Sequence, residues 1–368
     1  MMQEYLISNT LGRNKMAKIV MLGSGIMATA LSFPSSENGH EVRLVGTHLD
    51  RDIIDSIKAK GIHPDLGLKV NDGVKVYQLE DAEEAFADAD VVMCGVNSFG
   101  IEWAGEQLAG LLKPGQDVLC ITKGMRADED GTMHVLPEVL KKAVGPELAS
   151  QVSWSAIVGP SIAGELAVHH DTCVVFCGED QEVLTKLADM FRTDYYHVWT
   201  STDFIGHETG AATKNIYAFA AGFGDGLLDK EGKTDAKYVR FNYGAAVFAQ
   251  GQKELRQFVQ LLGGEAVTAD GLGGVGDMFV TSMGGRNVKA GRYVGSGVPF
   301  SEVRDSLMKG VTLEGVAAIQ VIGAALKPLT ERGVIKEDDF PLCRYLYSVV
   351  AEDAPLEMPW SLFFGGER

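Results

Sequence analysis

The residues best suited to chemistry stand in apolar or glycine-rich surroundings. Lys214 lies in GAATKNIYAFAAG, a run of helical texture with apolar neighbours on nearly every side. A buried ammonium is costly unless paired, and desolvation lowers its pKa. An amine so placed can release a proton near neutral pH and recover it. Glu208 and Asn215 belong to the same segment. Lys123 ends the apolar run LCITKG, and ligands of an open α/β sheet sit at the carboxyl ends of its strands. Asp277 and Thr281 are four residues apart, so a helix carries both on one face. Gly284 and Gly285 then precede Arg286 and Asn287, a glycine-lined helix start bearing a forked guanidinium. N–H donors, helix dipole and arginine together suit a small anion. Ser161 and Ala163 follow the strand-like SAIV in GPSIAGE, where a proline at a helix start explains the segment equally well.

An earlier constellation is built for a nucleotide. In KIVMLGSGIMATALS an apolar strand is followed by Gly23, Ser24, Gly25, Ile26, Met27 and Ala28, and then by a helical pattern. Strand, tight turn and helix are the context in which Gly-x-Gly-x-x-Ala binds a dinucleotide. Gly23 allows the turn, Gly25 lets a pyrophosphate approach the backbone, and Ala28 lets helix pack on strand. The acid that usually receives the ribose at the end of the second strand is missing. That strand ends Val45-Gly46-Thr47-His48, with no carboxylate until Asp50. A 2′-phosphate is therefore admissible, with His48 or Arg51 near it, and NAD against NADP stays open.

These residues need a scaffold, and its outline is legible. KIVMLG, VRLVG, VVMCGV, DVLCIT, SAIVG and CVVFCG read as strands buried on both faces, separated by helical segments. That alternation specifies a largely parallel sheet. After Thr200 strand-like runs give way to long Ala-, Gly- and Leu-rich helical segments. A length of 368 residues agrees with two domains. The expected fold is α/β: a Rossmann-type, mostly parallel sheet domain over 17–199, followed by an all-α substrate and catalytic domain over 200–368.

Composition narrows the partners. Fifty acidic residues against 33 Lys and Arg give a charge of −17, which repels phosphate backbones and argues against nucleic acid. Five scattered cysteines fit reduced thiols in a cytoplasm. Cys173 and Cys177 share a strand face and read as core packing, so no metal is expected. No apolar run reaches the roughly 18 residues of a membrane span. The first sixteen residues lack an apolar core and a cleavage site, and read as a short extension ahead of the first strand, not a signal peptide.

Taken in order, GSGIMA, TKG, GPSIAGE, GHETGAATKN, GVGDMFVT, GGRN and VTLEG resemble the NAD(P)-dependent glycerol-3-phosphate dehydrogenase family, from about Lys18 to about Leu346. The resemblance implies a dinucleotide domain, a helical domain and an active site between them. It implies NAD or NADP as cofactor, a small phosphorylated substrate (dihydroxyacetone phosphate or sn-glycerol 3-phosphate) and a homodimer. Lys214 matches the catalytic lysine that protonates the ketone oxygen, and Lys123 the second active-site lysine; Asp277 matches a polar residue around the substrate and is expected to tune Lys214 as a counter-charge. Asn215 and Thr281 match residues around the substrate, and Arg286 and Asn287 the pair that holds its phosphate. Ser161 and Glu314 match pocket positions. Ser98, Lys123, Ala163, Arg286 and Glu314 join the glycine loop around the cofactor. Two departures leave the polyol open: Val96-Asn97-Ser98 where the family has Val-Pro, and VRFNYGAAVFAQGQ in place of an Ala-Leu-Ile-Thr-Arg-Gly type of segment. A dehydrogenase of another polyol phosphate or of a β-hydroxyacid, and a non-catalytic dinucleotide sensor, are the competing readings.

Overall fold

The computed structural model describes residues 16–233, 235 and 237–365; all but the last residue of the N-terminal extension lies outside the described residues. Ten strands form: β1 (Lys18–Leu22), β2 (Glu41–Val45), β3 (Val74–Tyr77), β4 (Val91–Cys94), β5 (Asp117–Cys120), β6 (Met125–Ala127), β7 (Met133–Val135), β8 (Ser153–Val158), β9 (Thr172–Gly178) and β10 (Tyr196–Ser201). Eight of them make one sheet in the order β10-β9-β8-β5-β4-β1-β2-β3, and β6 and β7 pair as a separate hairpin. β9 runs antiparallel to β8, while β10 is parallel to β9, so these two oppose the other six. The apolar runs of the sequence coincide with β1, β2, β4, β5, β8 and β9. β3 is a partly exposed edge strand, VKVY, and the hairpin strands have three residues each, too short to show a pattern.

From β1 the chain steps outward through β2 and β3, then returns to place β4 on the other side of β1. The order reverses between β1 and β4, which opens a crevice at their carboxyl ends. Small residues set its floor. Gly23 adopts φ +104°, and a Cβ there would lie 2.9 Å from the Gly95 carbonyl oxygen. A Cβ on Gly95 would lie 2.8 Å from that of Ala28. The helix Ile26–Glu37 thus starts directly against the crevice, with no side chain capping its first N–H groups.

Beyond β10 the described residues form helices and connecting turns. The helix Phe204–Ala221 is capped by Asp203, which accepts from the Gly206 N–H at 3.0 Å. Alanine, glycine and threonine keep it slim, and it is buried along nearly its whole length. It packs against the helices Phe241–Leu261, Asp277–Ser282, Arg286–Gly295 and Glu314–Glu331. Its crossing with Arg286–Gly295 is backbone on backbone. A Cβ on Gly222 would stand 2.0 Å from the Val288 oxygen, and one on Gly291 1.8 Å from the Phe219 oxygen. Met125 and Val135 of the hairpin insert into this helical core and tie the two halves together. Among the described residues no helix is long and apolar enough to cross a membrane.

Candidate active site

A cavity of about 600 Å³ runs from the glycine loop to the helical half. Its wall includes Gly23, Gly25, Ile26 and Met27 at one end and Lys123, Lys214, Asn215, Thr281, Arg286, Asn287 and Glu314 at the other. A Cβ added to Gly25 meets nothing within 4 Å, so the backbone there lies open to a ligand. This loop fits a dinucleotide: an uncapped helix start, an open glycine and a cavity of the right extent.

Asp277 organises the chemistry. A π-type turn over Leu272–Gly276 delivers it to the start of the helix Asp277–Ser282. The glycines of GLGGVG permit this turn, since a Cβ on Gly274 would stand 2.1 Å from the Ala269 oxygen. One carboxylate oxygen accepts from Lys214 Nζ, and the other accepts from Lys123 Nζ at 2.7 Å. Lys123 also donates to the Gly159 carbonyl at 3.1 Å. Lys214 is 6% exposed and Asp277 1%. Burial pushes Lys214 down to about 8, with Lys123 acting the same way and Asp277 opposing both. Burial alone would raise Asp277, but the two ammonium groups overcome it and hold the carboxyl below its usual value. The result is an amine poised to exchange a proton near neutral pH.

The Arg286 end of the cavity is equally defined. Arg286 opens the ten-residue helix Arg286–Gly295 after Gly285, whose φ is +95°, and no side chain caps this helix. Asn287 is buried, with its carbonyl oxygen accepting from the Gly315 N–H at 3.0 Å. Arg286 donates to Glu314 at 3.1 Å, a pairing the sequence does not reveal. Thr281 donates its hydroxyl to the Asp277 carbonyl at 2.7 Å.

Some expectations are corrected. Ser161 and Ala163 are not on the cavity wall; the Ser161 hydroxyl faces the Met27 sulfur at 3.9 Å, and the segment contributes the Gly159 carbonyl instead. Ser24 is fully buried, so its side chain does not line the cavity; Ala28 packs beneath the loop against Gly95, the close helix-on-strand packing expected of it. His48 lines the wall, but Arg51 does not: one of its guanidinium nitrogens donates to both carboxylate oxygens of Glu80, at 2.8 and 2.9 Å. Val96, Asn97 and Ser98 do border the cavity. VRFNYGAAVFAQGQ does not. Its Gln250 donates to Glu254 at 2.7 Å, and Glu254 accepts from the Leu342 and Cys343 N–H groups, capping the helix Pro341–Glu352 in the core. That departure from the family therefore gives no ground for a different polyol.

Two positioning side chains are absent from the sequence-based set. Asp50 accepts from the Ser24 N–H at 3.2 Å and from the Thr47 N–H at 2.8 Å. His63 is fully buried; its Nδ1 accepts from the Leu66 N–H at 3.1 Å, so Nε2 carries the hydrogen and donates to the Ser24 carbonyl at 2.9 Å. The peptide groups of Ser24 are thus held from both sides. His63→Ala is expected to raise the KM for the dinucleotide about tenfold, the scale of one lost buried hydrogen bond, with kcat within about threefold. Steady-state kinetics with the dinucleotide varied checks this, and His63→Gln, which keeps a donor toward Ser24, recovers part of the loss.

Fold and site together define a dehydrogenase that uses a nicotinamide dinucleotide: a glycine-loop crevice facing a lysine–carboxylate–lysine cluster. Family models confirm and refine this. Residues 18–184 match the NAD-dependent glycerol-3-phosphate dehydrogenase N-terminus, and residues 203–360 match the C-terminus. The chain is 33% identical over 340 residues to an NADP(+)-dependent glycerol-3-phosphate dehydrogenase of Archaeoglobus fulgidus, covering 92% of this chain and 96% of that protein. It is 30% identical over 346 residues to the glycerol-3-phosphate dehydrogenase of Enterococcus faecalis, with 92% and 93% covered. The crystal structure of a glycerol-3-phosphate dehydrogenase from Coxiella burnetii superposes with a TM-score of 0.75 at 25% identity, over 94% of this chain and 97% of that one. This chain belongs to the NAD-dependent glycerol-3-phosphate dehydrogenase family.

Proposed function

We propose that the chain catalyses reversible hydride transfer between NAD(P)H and dihydroxyacetone phosphate, giving sn-glycerol 3-phosphate. The observation that carries this reading is one cavity holding both the glycine loop and two lysines bridged by Asp277, with Arg286 and Asn287 on an uncapped helix start. When bound, the nicotinamide supplies or accepts the hydride. The chain's own residues do the rest. Arg286, Asn287 and the N–H groups of their helix hold the phosphate, and that remote binding energy orients the carbonyl. Lys214 Nζ protonates the oxygen as negative charge develops on it, and Lys123 adds positive potential. Asp277 keeps Lys214 charged enough to donate. Residues 17–199 serve the dinucleotide in this reading, and residues 200–368 supply the proton donor and phosphate trap.

The test is oxidation of NADH or NADPH, followed by absorbance, with dihydroxyacetone phosphate against ketones that carry a carboxylate in place of phosphate. Turnover is expected only with the phosphorylated ketone. Arg286→Ala is expected to raise its KM by about 10- to 100-fold, the worth of a charge-assisted fork on phosphate. A KM left unchanged removes Arg286 from the phosphate site. Five free cysteines, four of them buried, accord with a reducing cytoplasm. A homodimer accords with the exposed apolar side chains of Phe241, Phe279 and Met283 on the helical half.

A further inference from the structure

Glu208 shares the helix Phe204–Ala221 with Lys214 but takes no part in the hydrogen bonds that join Lys214, Asp277 and Lys123. It stands between Phe204 and Ala211 on one helix face, at the i, i+4 and i+7 positions. Phe204 and Ala211 pack into the same apolar core as Val158, Cys120 and Cys177, so this face is turned to the sheet. Glu208 is 1% exposed, and its Oε2 has no hydrogen-bond partner among the described residues. An ionised carboxyl in such a place is strongly disfavoured, and the side chain is held as the neutral acid. Burial pushes it up to about 8, with the Lys123 ammonium opposing.

The other ionisable groups of that core do not supply a counter-charge. Burial, with Glu208 adding to it, raises the thiols of Cys120 on β5 and Cys177 on β9, and both stay uncharged. Lys141 Nζ sits over the Trp154 and Phe204 rings, 5.9 and 5.3 Å from their centroids, and Asp203 caps its own helix through the Gly206 N–H. Lys123 is the charged group that faces Glu208, and it follows Cys120 at the carboxyl end of β5. Its ammonium is already committed to Asp277 and to the Gly159 carbonyl. Two ammonium groups therefore stand against the single carboxylate of Asp277, and the surplus positive charge survives only while Glu208 is uncharged. We propose that Glu208 is a positioning residue which, as a buried neutral acid behind Lys123, preserves the positive charge that the lysine pair presents to the developing oxyanion. Ionised, it cancels that charge and slows ketone reduction. This rests on the proton-donor reading of Lys214 and adds a second ionisation to the same pH range.

The experiment is the pH profile of kcat for reduction of dihydroxyacetone phosphate by the full chain, with Glu208→Gln as an uncharged isostere. One pH unit above its midpoint, each ionisation leaves about a tenth of the enzyme in its active form, so two together leave about a hundredth. The ratio of kcat at about pH 9 to that at about pH 7 is therefore expected to be about five- to tenfold higher in Glu208→Gln, whose alkaline limb falls with one proton in place of two. Glu208→Leu supplies a readout apart from activity. Its urea midpoint should exceed that of the parent chain by an amount that grows between about pH 5 and 8, because a raised native carboxyl makes the parent lose stability as pH rises over that interval. An alkaline limb identical in Glu208→Gln and parent overturns the proposal. A midpoint gap that stays constant with pH does so as well, since it shows a carboxyl already ionised in the folded chain. A parent profile with no alkaline fall overturns the Lys214 reading and this proposal with it.

Discussion

Lys214→Ala is expected to lower turnover of the ketone by about 10²–10⁴, the usual contribution of a positioned general acid, with little change in substrate KM. The expectation follows from the burial of the amine and from the carboxylate it touches. Burial lowers the pKa of Lys214 and Asp277 opposes that shift, leaving it at about 8. Ketone reduction needs the protonated form, so its rate should fall as pH rises through about 8, while oxidation of the alcohol should rise over the same interval. Lys214→Arg provides the control, because a guanidinium stays charged and should flatten that limb while remaining slow. Steady-state kinetics in both directions between about pH 6 and 10 would decide it. Turnover of Lys214→Ala within tenfold of the parent chain takes the proton-donor role away from Lys214.

The second large effect belongs to Asp277→Asn. An amide in that position leaves two neighbouring ammonium groups without a counter-charge, and Lys214 should lose its proton at lower pH. A drop of about two pH units would leave roughly a tenth of it charged at pH 7, so ketone reduction falls about tenfold and recovers as the solution is acidified. That recovery separates a tuning role from simple damage. The same change should cost about 3–5 kcal/mol of stability at neutral pH, the scale for removing one partner of a buried ion pair. The sign with pH is set by the depressed carboxyl. Its stabilisation is present above the ordinary carboxylate range and is lost as pH falls through its lowered native value. Urea denaturation at pH 7 and at acid pH would show the gap between variant and parent closing as the solution becomes acid. A constant gap contradicts it.

Much of this site can be read from residue types alone. Gly23 and Gly25 stand out because a tight turn and an open backbone demand them, and Lys214 because an amine among alanines has no solvent to serve. Asp277 is visible as a polar residue in a glycine run. Its bridge to Lys214 and Lys123 is not, because those partners lie 63 and 154 residues away in the chain. His63 is hidden for the same reason, since it acts on the Ser24 backbone across 39 residues; Asp50 is visible in the sequence as the first carboxylate after β2, but its bond to the Ser24 N–H, 26 residues away, is not. Ser161 and Ala163 show the opposite case: a local motif is present, but after β8 the segment meets Lys123 through the Gly159 carbonyl. The all-helical texture beyond residue 200 was plain, whereas the three-residue strands of the hairpin were too short to announce themselves.

The contact between Gly222 and Gly291 has an outcome for the cavity. Because main chain touches main chain there, the gap between Lys214 on one helix and Arg286 at the head of the other is fixed like the jaws of a locked caliper. Side chains around the cavity can drift in evolution without altering that setting. A methyl group added at the seam, Gly→Ala on either side, would push these two helices apart and shift Lys214 relative to Arg286.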